Sequence, residues 1–255
     1  MCLIFISLDH HPKYKLIIAA NRDEFYNRST LPAHFWKDRP EILGGRDLQE
    51  MGTWMGVSKS GKISMVTNYR DLAGLKSNTP SRGHLVSDYL SNGKSPDEYL
   101  KQLQPTAQLY NGFNLLVGYA DELWYLSNYK TGIEKIKPGF YGISNHLLET
   151  PWPKVVRGKE LIKPALTKND VDANEVLDIL LDEQKAADDQ LPKTGLDYER
   201  EKAVSSMFIK SPNYGSRSST IVLIDGDGNV SFTERVYDLK TFDYSTRTFQ
   251  FQISE

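Results

Sequence analysis

The chain of 255 residues contains a single cysteine, Cys2, which excludes an internal disulfide framework and a cysteine zinc cluster. It also lacks a charge excess: 31 basic and 33 acidic residues leave a net charge of −2, so nothing in the composition favours nucleic acid or an anionic membrane surface. No segment approaches the ~18–20 apolar residues of a membrane span. These absences predict a soluble globular protein, and the low cysteine content favours a reducing, cytoplasmic compartment.

Secretion and metal binding also lack sequence signals. The first apolar run, residues 3–8, has no basic segment before it and is interrupted by Asp9, His10 and His11, unlike a secretory signal. The five histidines show no HExxH or comparable spacing. The segment 225–229 resembles a calcium loop, but Val230 and Val236 stand where the EF-hand pattern needs Gly and Glu. We therefore expect no metal site and interpret 225–229 as a hairpin turn.

Hydrophobic patterning predicts strands first, then alternating groups of helices and strands. Strands are expected at residues 2–8, 14–20, 53–57, 62–69, 113–120, 122–128, 142–145, 220–225, 230–236 and 246–253. Helices are expected at 81–90, from Ser95 to about 104, at 153–166 and at 171–184, and residues 186–201 are expected to form a polar surface excursion.

The order of these elements bears on the fold class. Strands and helices do not alternate regularly, so a doubly wound parallel sheet is not expected. Two antiparallel sheets packed together, with helices on the outer faces, account for the order. We predict a single α+β domain spanning residues 1–255.

Cys2 follows the initiator methionine directly, and two interpretations of it remain open. If Met1 is removed, the thiol and a free α-amine belong to one residue, which joins a nucleophile to its own base. An α-amine has a pKa of roughly 7.7–8.0, close to the pH at which a general base works well. Alternatively, Cys2 is a small apolar residue at the start of a buried strand.

A polar segment, Asn21-Arg22-Asp23-Glu24, follows the second strand and is expected to form a loop. In an antiparallel hairpin the end of the second strand lies beside the start of the first, so Arg22 is expected near Cys2. A guanidinium stabilises a thiolate, and a carboxylate there would hold the α-amine. The competing interpretation is a solvated turn with a local ion pair.

The Met1-Cys2 start and the Asn-Arg-Asp-Glu segment together resemble the NRDE family, also called the transport-and-Golgi-organisation family. Further similar segments are Gly52-Thr-Trp54, Thr67-Asn-Tyr-Arg70, Ser81-Arg-Gly83, Asn111-Gly-Phe-Asn-Leu115, Tyr141-Gly-Ile-Ser-Asn145 and Ser216-Arg-Ser-Ser-Thr220. They are spread over most of the chain. The resemblance implies an N-terminal-nucleophile (Ntn) hydrolase fold, a four-layer αββα sandwich.

A more distant resemblance, to the bile-salt hydrolase and penicillin V acylase group, implies roles for individual residues. Cys2 would be the nucleophile and Arg22 its thiolate neighbour. Asn68 and Asn145 would be the oxyanion and amine-holding asparagines, and Arg217 the late arginine. That group spaces its arginine and aspartate three residues apart, whereas Phe25 lies three after Arg22 here. Which of Asp23 and Glu24 faces Cys2 therefore stays open.

The remaining candidates are ligand-binding residues. Tyr69, Arg70 and Arg82, together with Asn21 of the polar segment, are candidates for lining a pocket that holds an anionic ligand. Surface charge is the competing interpretation of Arg70 and Arg82.

Two functions remain in view. The first is an Ntn-type hydrolase or acyltransferase that acts on an amide or thioester through Cys2 and requires no cofactor. The second is a non-catalytic haem or acyl-CoA binding and trafficking protein on the same fold, with haem as its ligand. The expected partners are therefore a small acyl substrate or haem.

Overall fold

The computed structural model describes residues 2–254, so the open question of whether Met1 is removed lies outside the described residues. Thirteen strands are described: β1 (Cys2–Leu8), β2 (Tyr14–Phe25), β3 (Thr30–Phe35), β4 (Ile42–Asp47), β5 (Met55–Ser58), β6 (Ile63–Asn68), β7 (Phe113–Tyr119), β8 (Glu122–Ser127), β9 (Glu134–Lys135), β10 (Gly139–Ile143), β11 (Tyr214–Asp225), β12 (Asn229–Tyr237) and β13 (Tyr244–Gln252). The α-helices described are α1 (Arg82–Ser91), α2 (Pro96–Leu103), α3 (Pro153–Leu166), α4 (Ala173–Ile179) and α5 (Tyr198–Ala203), with 3₁₀ turns at Gln104–Leu109 and Asp188–Gln190.

The strands form two antiparallel sheets. The first has six strands in the order β10-β1-β2-β11-β12-β13, and the second has seven in the order β3-β4-β5-β6-β7-β8-β9. In the second sheet, sequential strands are spatial neighbours. In the first sheet β2 pairs with β11, which joins the two ends of the chain.

Three hydrophobic clusters hold the layers together. One lies between the sheets and contains residues of both, such as Ile4, Ile18, Met65 and Leu116. A second packs α3 and α4 onto the outer face of the first sheet, and a third packs α1 and α2 onto the outer face of the second. The layers therefore follow the order helix, sheet, sheet, helix, which confirms the predicted four-layer αββα sandwich.

The pattern of β1 and β2 explains how the first sheet contacts both neighbouring layers. All seven residues of β1 are buried. Along β2, Ile18 and Ala20 face the other sheet while Ile17 and Ala19 face the helices, because successive side chains of a strand point to opposite faces. β2 is thus buried on both faces.

The structure corrects the predicted ends of several elements. β2 continues to Phe25, so residues 21–24 lie in a strand and not in a loop. β11 pairs with the whole segment and β1 with Asn21 and Arg22, and this pairing takes up backbone hydrogen-bonding groups. β11 begins at Tyr214, six residues before the predicted strand at 220–225, which places Arg217 at an irregularity within the strand. β3 and β4 were not predicted.

The helical layers also depart from the sequence prediction. α4 covers only Ala173–Ile179, and the predicted surface excursion at 186–201 contains a 3₁₀ turn and the start of α5. Glu201 of that segment is only 4% exposed, so its α5 end is part of the interior. Within residues 2–254, no helix combines the length and apolar character needed to cross a membrane.

Candidate active site

Cys2 forms part of the wall of a cleft of about 240 Å³ that opens where the two sheets meet. The side chain belongs to the face of β1 that is turned toward the other sheet, and the residue is 7% exposed. The residues around the cleft come from the start of β1, the end of β2, β4, the end of β6 and the start of α1: Cys2, Arg22, Asp23, Glu24, Arg28, Asp47, Glu50, Thr53, Trp54, Val66, Asn68, Thr79, Pro80, Ser81, Arg82 and Gly83.

The register of the first hairpin confirms that Arg22 lies beside Cys2. The two residues are direct partners across the antiparallel β1–β2 pair, so both side chains lie on the same face of the sheet. This is the arrangement in which a guanidinium can stabilise a thiolate.

The thiol is nevertheless not activated by its surroundings alone. The pKa of Cys2 is raised to about 11, mainly by burial and in part by the nearby Asp23 carboxylate, whereas Arg22 and the Asp23 backbone N–H favour the thiolate. At neutral pH the thiol is protonated, so any nucleophilic role requires a base that removes its proton.

The four residues of the Asn-Arg-Asp-Glu segment divide between the two faces of β2. Arg22 and Glu24 share the intersheet face with Ala20, and Asn21 and Asp23 share the helix-facing side with Ala19. Because the segment is a strand, the two acids cannot occupy equivalent positions relative to Cys2.

Arg22 differs from the other arginines near the cleft, because it makes no hydrogen bond or ion pair with any residue of the described chain. Arg28 forms an ion pair with Asp47 at 2.5 Å, and Arg82 donates to the Gly112 carbonyl at 2.9 Å. Arg217 donates to the Phe25 carbonyl at 2.8 Å. The Arg22 guanidinium is therefore available to a ligand.

A smaller chamber of about 110 Å³ adjoins the cleft. It shares Arg22, Asp47, Thr53 and Trp54 with the cleft, and its lining also includes Arg217 and Glu234. Arg217 thus contributes to the chamber and not to the wall around Cys2.

Asp23 and Glu24 have opposite electrostatic environments. Asp23 is 1% exposed, and its Oδ1 accepts a hydrogen bond from Ser216 Oγ at 2.6 Å. Burial raises the pKa of Asp23. Burial also opposes ionisation of Glu24, but the Phe25 N–H and the Arg22 and Arg28 guanidinium groups help to bring the Glu24 pKa below its usual value.

Asn21 is wholly buried and holds the layers together. Its Nδ2 donates to the carbonyls of Leu180 and Met207, both at 2.9 Å, and its Oδ1 accepts from Ser219 Oγ. These bonds occupy the amide on the helix side of β2, away from the cleft, so the structure does not place Asn21 where a ligand would contact it.

The two asparagines from the resemblance are in contact but differ in position. Asn68, at the end of β6, lines the cleft, and its side-chain amide makes no hydrogen bond within the described chain. Asn145 is fully buried, and its Nδ2 donates to the Asn68 carbonyl at 3.1 Å. Ser144 Oγ links this pair to the Cys2 carbonyl at 3.1 Å. Asn145 therefore holds Asn68 in place from behind the cleft.

Tyr69 and Arg70 do not line the cleft. Tyr69 stacks on Tyr129 with 3.9 Å between ring centroids and hydrogen-bonds His146 Nε2 at 2.8 Å. Arg70 is buried and forms an ion pair with Glu201 at 2.5 Å. Of the predicted ligand-binding residues, the structure brings only Arg82 to the wall of the cleft.

A buried ion cluster on the helix side of β2 was missed by sequence reasoning. It comprises Asp23, Arg70, Lys154, Glu201 and Tyr214, all of which interact electrostatically with their neighbours in the set. Lys154 is 3% exposed, and burial lowers its pKa to about 8. Lysine and glutamate look like surface residues in any hydropathy pattern, so the only available signal was the position of Lys154 in the first turn of a helix that begins with Pro153.

The cleft offers little for haem iron. Axial ligands of haem are histidine, thiolate, methionine or tyrosine side chains, and of these only Cys2 stands among the residues around the cleft, with its thiol protonated. Its volume of about 240 Å³ is also below the ~300–1,000 Å³ of sites for drug-sized ligands. In the described part of the chain, no group of three His, Cys, Asp or Glu side chains is arranged to hold a metal ion.

The fold and the cleft define a class: a four-layer αββα protein that presents a cysteine of its N-terminal strand, with an unpartnered arginine beside it, between its two sheets. Residues 1–239 match the model of the family described as Transport and Golgi organisation 2. The human Transport and Golgi organization protein 2 homolog is 38% identical over 279 residues, covering 99% of each chain. The Drosophila melanogaster protein is 30% identical over 259 residues, covering 92% of this chain and 91% of the other. The chain belongs to the Transport and Golgi organisation 2 family.

Solved structures with similar folds were also found. A Caenorhabditis elegans ortholog of N-acylethanolamine-hydrolyzing acid amidase matches with a TM-score of 0.49 and 8% identity, over 87% of this chain and 92% of the other. The C2A mutant of conjugated bile acid hydrolase from Clostridium perfringens matches with a TM-score of 0.42 and 9% identity, over 100% and 98% of the two chains.

Proposed function

We propose that this protein is an Ntn-type hydrolase or acyltransferase that acts through Cys2 on a small amide or thioester in the cytoplasm. The observation that carries the proposal is the pairing of Cys2 with Arg22 at the wall of a polar cleft, with the free amide of Asn68 on the facing sheet. A nucleophile, a cation beside it and an oxyanion donor are the groups that acyl transfer requires.

In the proposed reaction the α-amine of processed Cys2 takes the thiol proton, which supplies the base that the buried thiol needs. The sulfur attacks the acyl carbon, an S–C bond forms, and the Asn68 amide stabilises the oxyanion. The C–N or C–S bond of the substrate then breaks, and the leaving group takes the proton from the ammonium. Water, or an acceptor amine or thiol, then attacks the acyl carbon of the thioester and gives its proton to the α-amine. The S–C bond breaks, the acyl product leaves, and the proton returns to sulfur to restore the Cys2 thiol.

The size and charge of the cleft restrict the substrate. A volume of about 240 Å³ suits a compact acyl group, and the free Arg22 guanidinium suits a substrate with a carboxylate or phosphate near the scissile bond. The leaving portion of an acyl-CoA would extend from the cleft mouth into solvent.

The test is a mass measurement of the purified full chain before and after incubation with a panel of small acyl amides and thioesters. We expect the native chain to lack Met1 and to gain one acyl group on Cys2, and we expect Cys2→Ala to gain none. Turnover by Cys2→Ala at the wild-type rate, or a chain that retains Met1 and gains no acyl group, would overturn the proposal.

The protonated state of the Cys2 thiol favours one second candidate, a carrier that binds an anionic acyl compound such as acyl-CoA without turning it over. Arg22, Arg28 and Arg82 around the cleft suit phosphates or carboxylates. If the protein is a carrier, wild type and Cys2→Ala should bind acyl-CoA with the same affinity in a calorimetric titration. An enzyme would lose turnover in the same variant.

A further inference from the structure

Lys154 occupies a position that disfavours its charge. It is the second residue of α3, and the N-terminal end of a helix carries a partial positive charge that repels a cation. It is also 3% exposed, and lysine is almost never fully buried unless it is paired. Such a placement lowers the stability of the folded chain, so a purely structural role does not account for it.

The hydrogen bonds of Lys154 do not offset that cost. Within residues 2–254 its ammonium makes one hydrogen bond, to the Val204 carbonyl at 3.1 Å, and no ion pair within 4 Å. An ammonium has three donors, so two of them remain unused by the described residues. A methionine or leucine would pack at such a site at lower cost.

The titratable groups that interact with Lys154 come from four parts of the chain: Cys2 on β1, Asp23 on β2, Arg70 after β6 and Glu201 on α5. Arg70 and Glu201 neutralise each other in their 2.5 Å ion pair. The buried charge that remains to balance Lys154 is the Asp23 carboxylate, whose own neighbours also include Glu24, Tyr214 and the hydroxyl of Ser216.

We propose that Lys154 is a positioning residue for Cys2: its ammonium keeps Asp23 ionised on the helix side of β2, where the carboxylate orients the α-amine of processed Cys2. This inference rests on the proposed function. Without the cation, burial protonates Asp23, the carboxylate no longer orients the amine, and the thiol loses its base. The residue acts through Asp23 and does not contact the substrate.

The direction of the Lys154 pKa shift, and the groups that oppose it, agree with an interaction between Lys154 and Asp23. Burial is the main cause that lowers the pKa of Lys154 to about 8, while Asp23 and Cys2 oppose that shift. Lys154 therefore loses its charge as the pH rises through about 8. The proposal therefore predicts that, above about pH 8, the alkylation rate of Cys2 rises less than ionisation of the thiol alone would give.

The experiment measures alkylation of Cys2 by iodoacetamide between pH 6 and 9.5 on the processed full chain, in which Cys2 is the only thiol. Lys154→Gln keeps a donor for Val204 but removes the charge, and we expect alkylation at pH 7 to slow about tenfold, as for a change of one pKa unit. Lys163→Gln, on an exposed position of the same helix, is the matched control and should leave the rate unchanged.

Two further variants separate a role through Asp23 from a role in folding. Asp23→Asn should slow alkylation, and adding Lys154→Gln to Asp23→Asn should slow it no further. Both changes act by removing the negative charge at residue 23. If Lys154→Gln does not fold, Lys154→Arg decides. A guanidinium stays charged, so the loss of reactivity above about pH 8 must disappear from the profile.

The outcomes separate the two proposals. A wild-type thiol that reacts at pH 7 no faster than N-acetylcysteine overturns both the proposed function and the role of Lys154. A fast wild-type thiol with unchanged rates and pH profiles in the Lys154 variants overturns only the role of Lys154. Multiplying effects of Asp23→Asn and Lys154→Gln also overturn it, since independent contributions multiply.

Discussion

Single side chains near Cys2 differ in whether the fold already uses them. Four of these side chains form hydrogen bonds or ion pairs with protein groups: Asn21, Arg28, Arg82 and Arg217. The Arg22 guanidinium and the Asn68 amide form none within the described chain. The roles that the resemblance implied for Cys2, Arg22 and Asn68 stay predictions. Their common location at one cleft is what makes them testable.

Arg22 should give Cys2 a preference for anionic reagents. We expect Arg22→Gln to lower the ratio of iodoacetate to iodoacetamide alkylation rates about three- to tenfold, because an unpaired cation next to the thiol attracts the carboxylate of iodoacetate. Stopped alkylation followed by mass spectrometry measures both rates. Arg200→Gln, at an exposed position that does not line the cleft, is the control. An unchanged ratio in Arg22→Gln would show that the guanidinium does not act on the cleft.

The buried Arg70–Glu201 pair should be sensitive to loss of one partner. Arg70→Met leaves the Glu201 carboxylate buried without its cation, and we expect the free energy of unfolding to fall by about 3–5 kcal/mol. Urea denaturation of the full chain measures this. The double variant Arg70→Met, Glu201→Leu should recover much of the loss, since it leaves no unpaired charge; a double variant less stable than Arg70→Met contradicts the argument.

Among the elements, α3 connects the core to the candidate site, because it packs on β1 and carries Lys154. Gly158 makes this packing possible: a Cβ there would lie 2.1 Å from Phe5 Cζ and 2.6 Å from Met207 Sδ. The helix therefore approaches the sheet more closely than any residue with a side chain would allow.

Gly158→Ala should destabilise the protein by about 1–3 kcal/mol through overpacking, despite a gain in helix propensity of about 1 kcal/mol. We expect a lower thermal midpoint in differential scanning calorimetry. Gly226→Ala, where an added Cβ meets no atom within 4 Å, is the matched control. A Gly158→Ala protein as stable as the control would mean that α3 can move away from β1 without cost.

The segment after α4 is fastened to α3 by an ion pair whose strength depends on pH. Burial opposes ionisation of Asp182, but hydrogen bonds from Arg157, at 2.5 Å to one oxygen, hold its pKa below the ordinary value. A carboxylate with a lowered folded-state pKa stabilises the fold above its unfolded-state pKa and loses that contribution as the pH falls through the folded value.

We therefore expect wild type to lose about 1 kcal/mol more stability than Asp182→Asn between pH 6 and pH 3. Urea denaturation at a series of pH values measures the difference. Parallel curves for the two proteins would show that the ion pair contributes nothing in solution.

The strands show how far sequence patterns can predict the elements. Apolar runs predicted the positions of six strands with small errors, because a buried strand consists of consecutive apolar residues. These strands are β1, β5, β6, β7, β8 and β12. The polar end of β2 looked like a loop since its stability comes from pairing with both neighbours. β3 and β4 were missed because Pro32, Gly44 and Gly45 interrupt their apolar pattern.

For the whole molecule, the layer order followed from the sequence of elements, but the site did so only in part. Cys2 and Arg22 could be placed together because they lie in one hairpin. The sequence does not place Lys154, Glu201 and Tyr214 at the site, because they approach Asp23 from distant segments. The hydropathy of a polar residue also does not show whether that residue is buried. The sequence therefore predicted the part of the site formed within one hairpin, but not the part formed by packing of segments that are distant in sequence.

The pairing of β2 with β11 has a consequence for biosynthesis. Ser216 bonds to Asp23 across 193 residues of sequence, so the wall behind Cys2 is incomplete until the last quarter of the chain is made. At ribosomal rates of about 5–20 residues per second, the N-terminus waits roughly 10–40 s for this partner. During that interval the Cys2 thiol is more open to oxidants than in the finished fold, where the residue is 7% exposed.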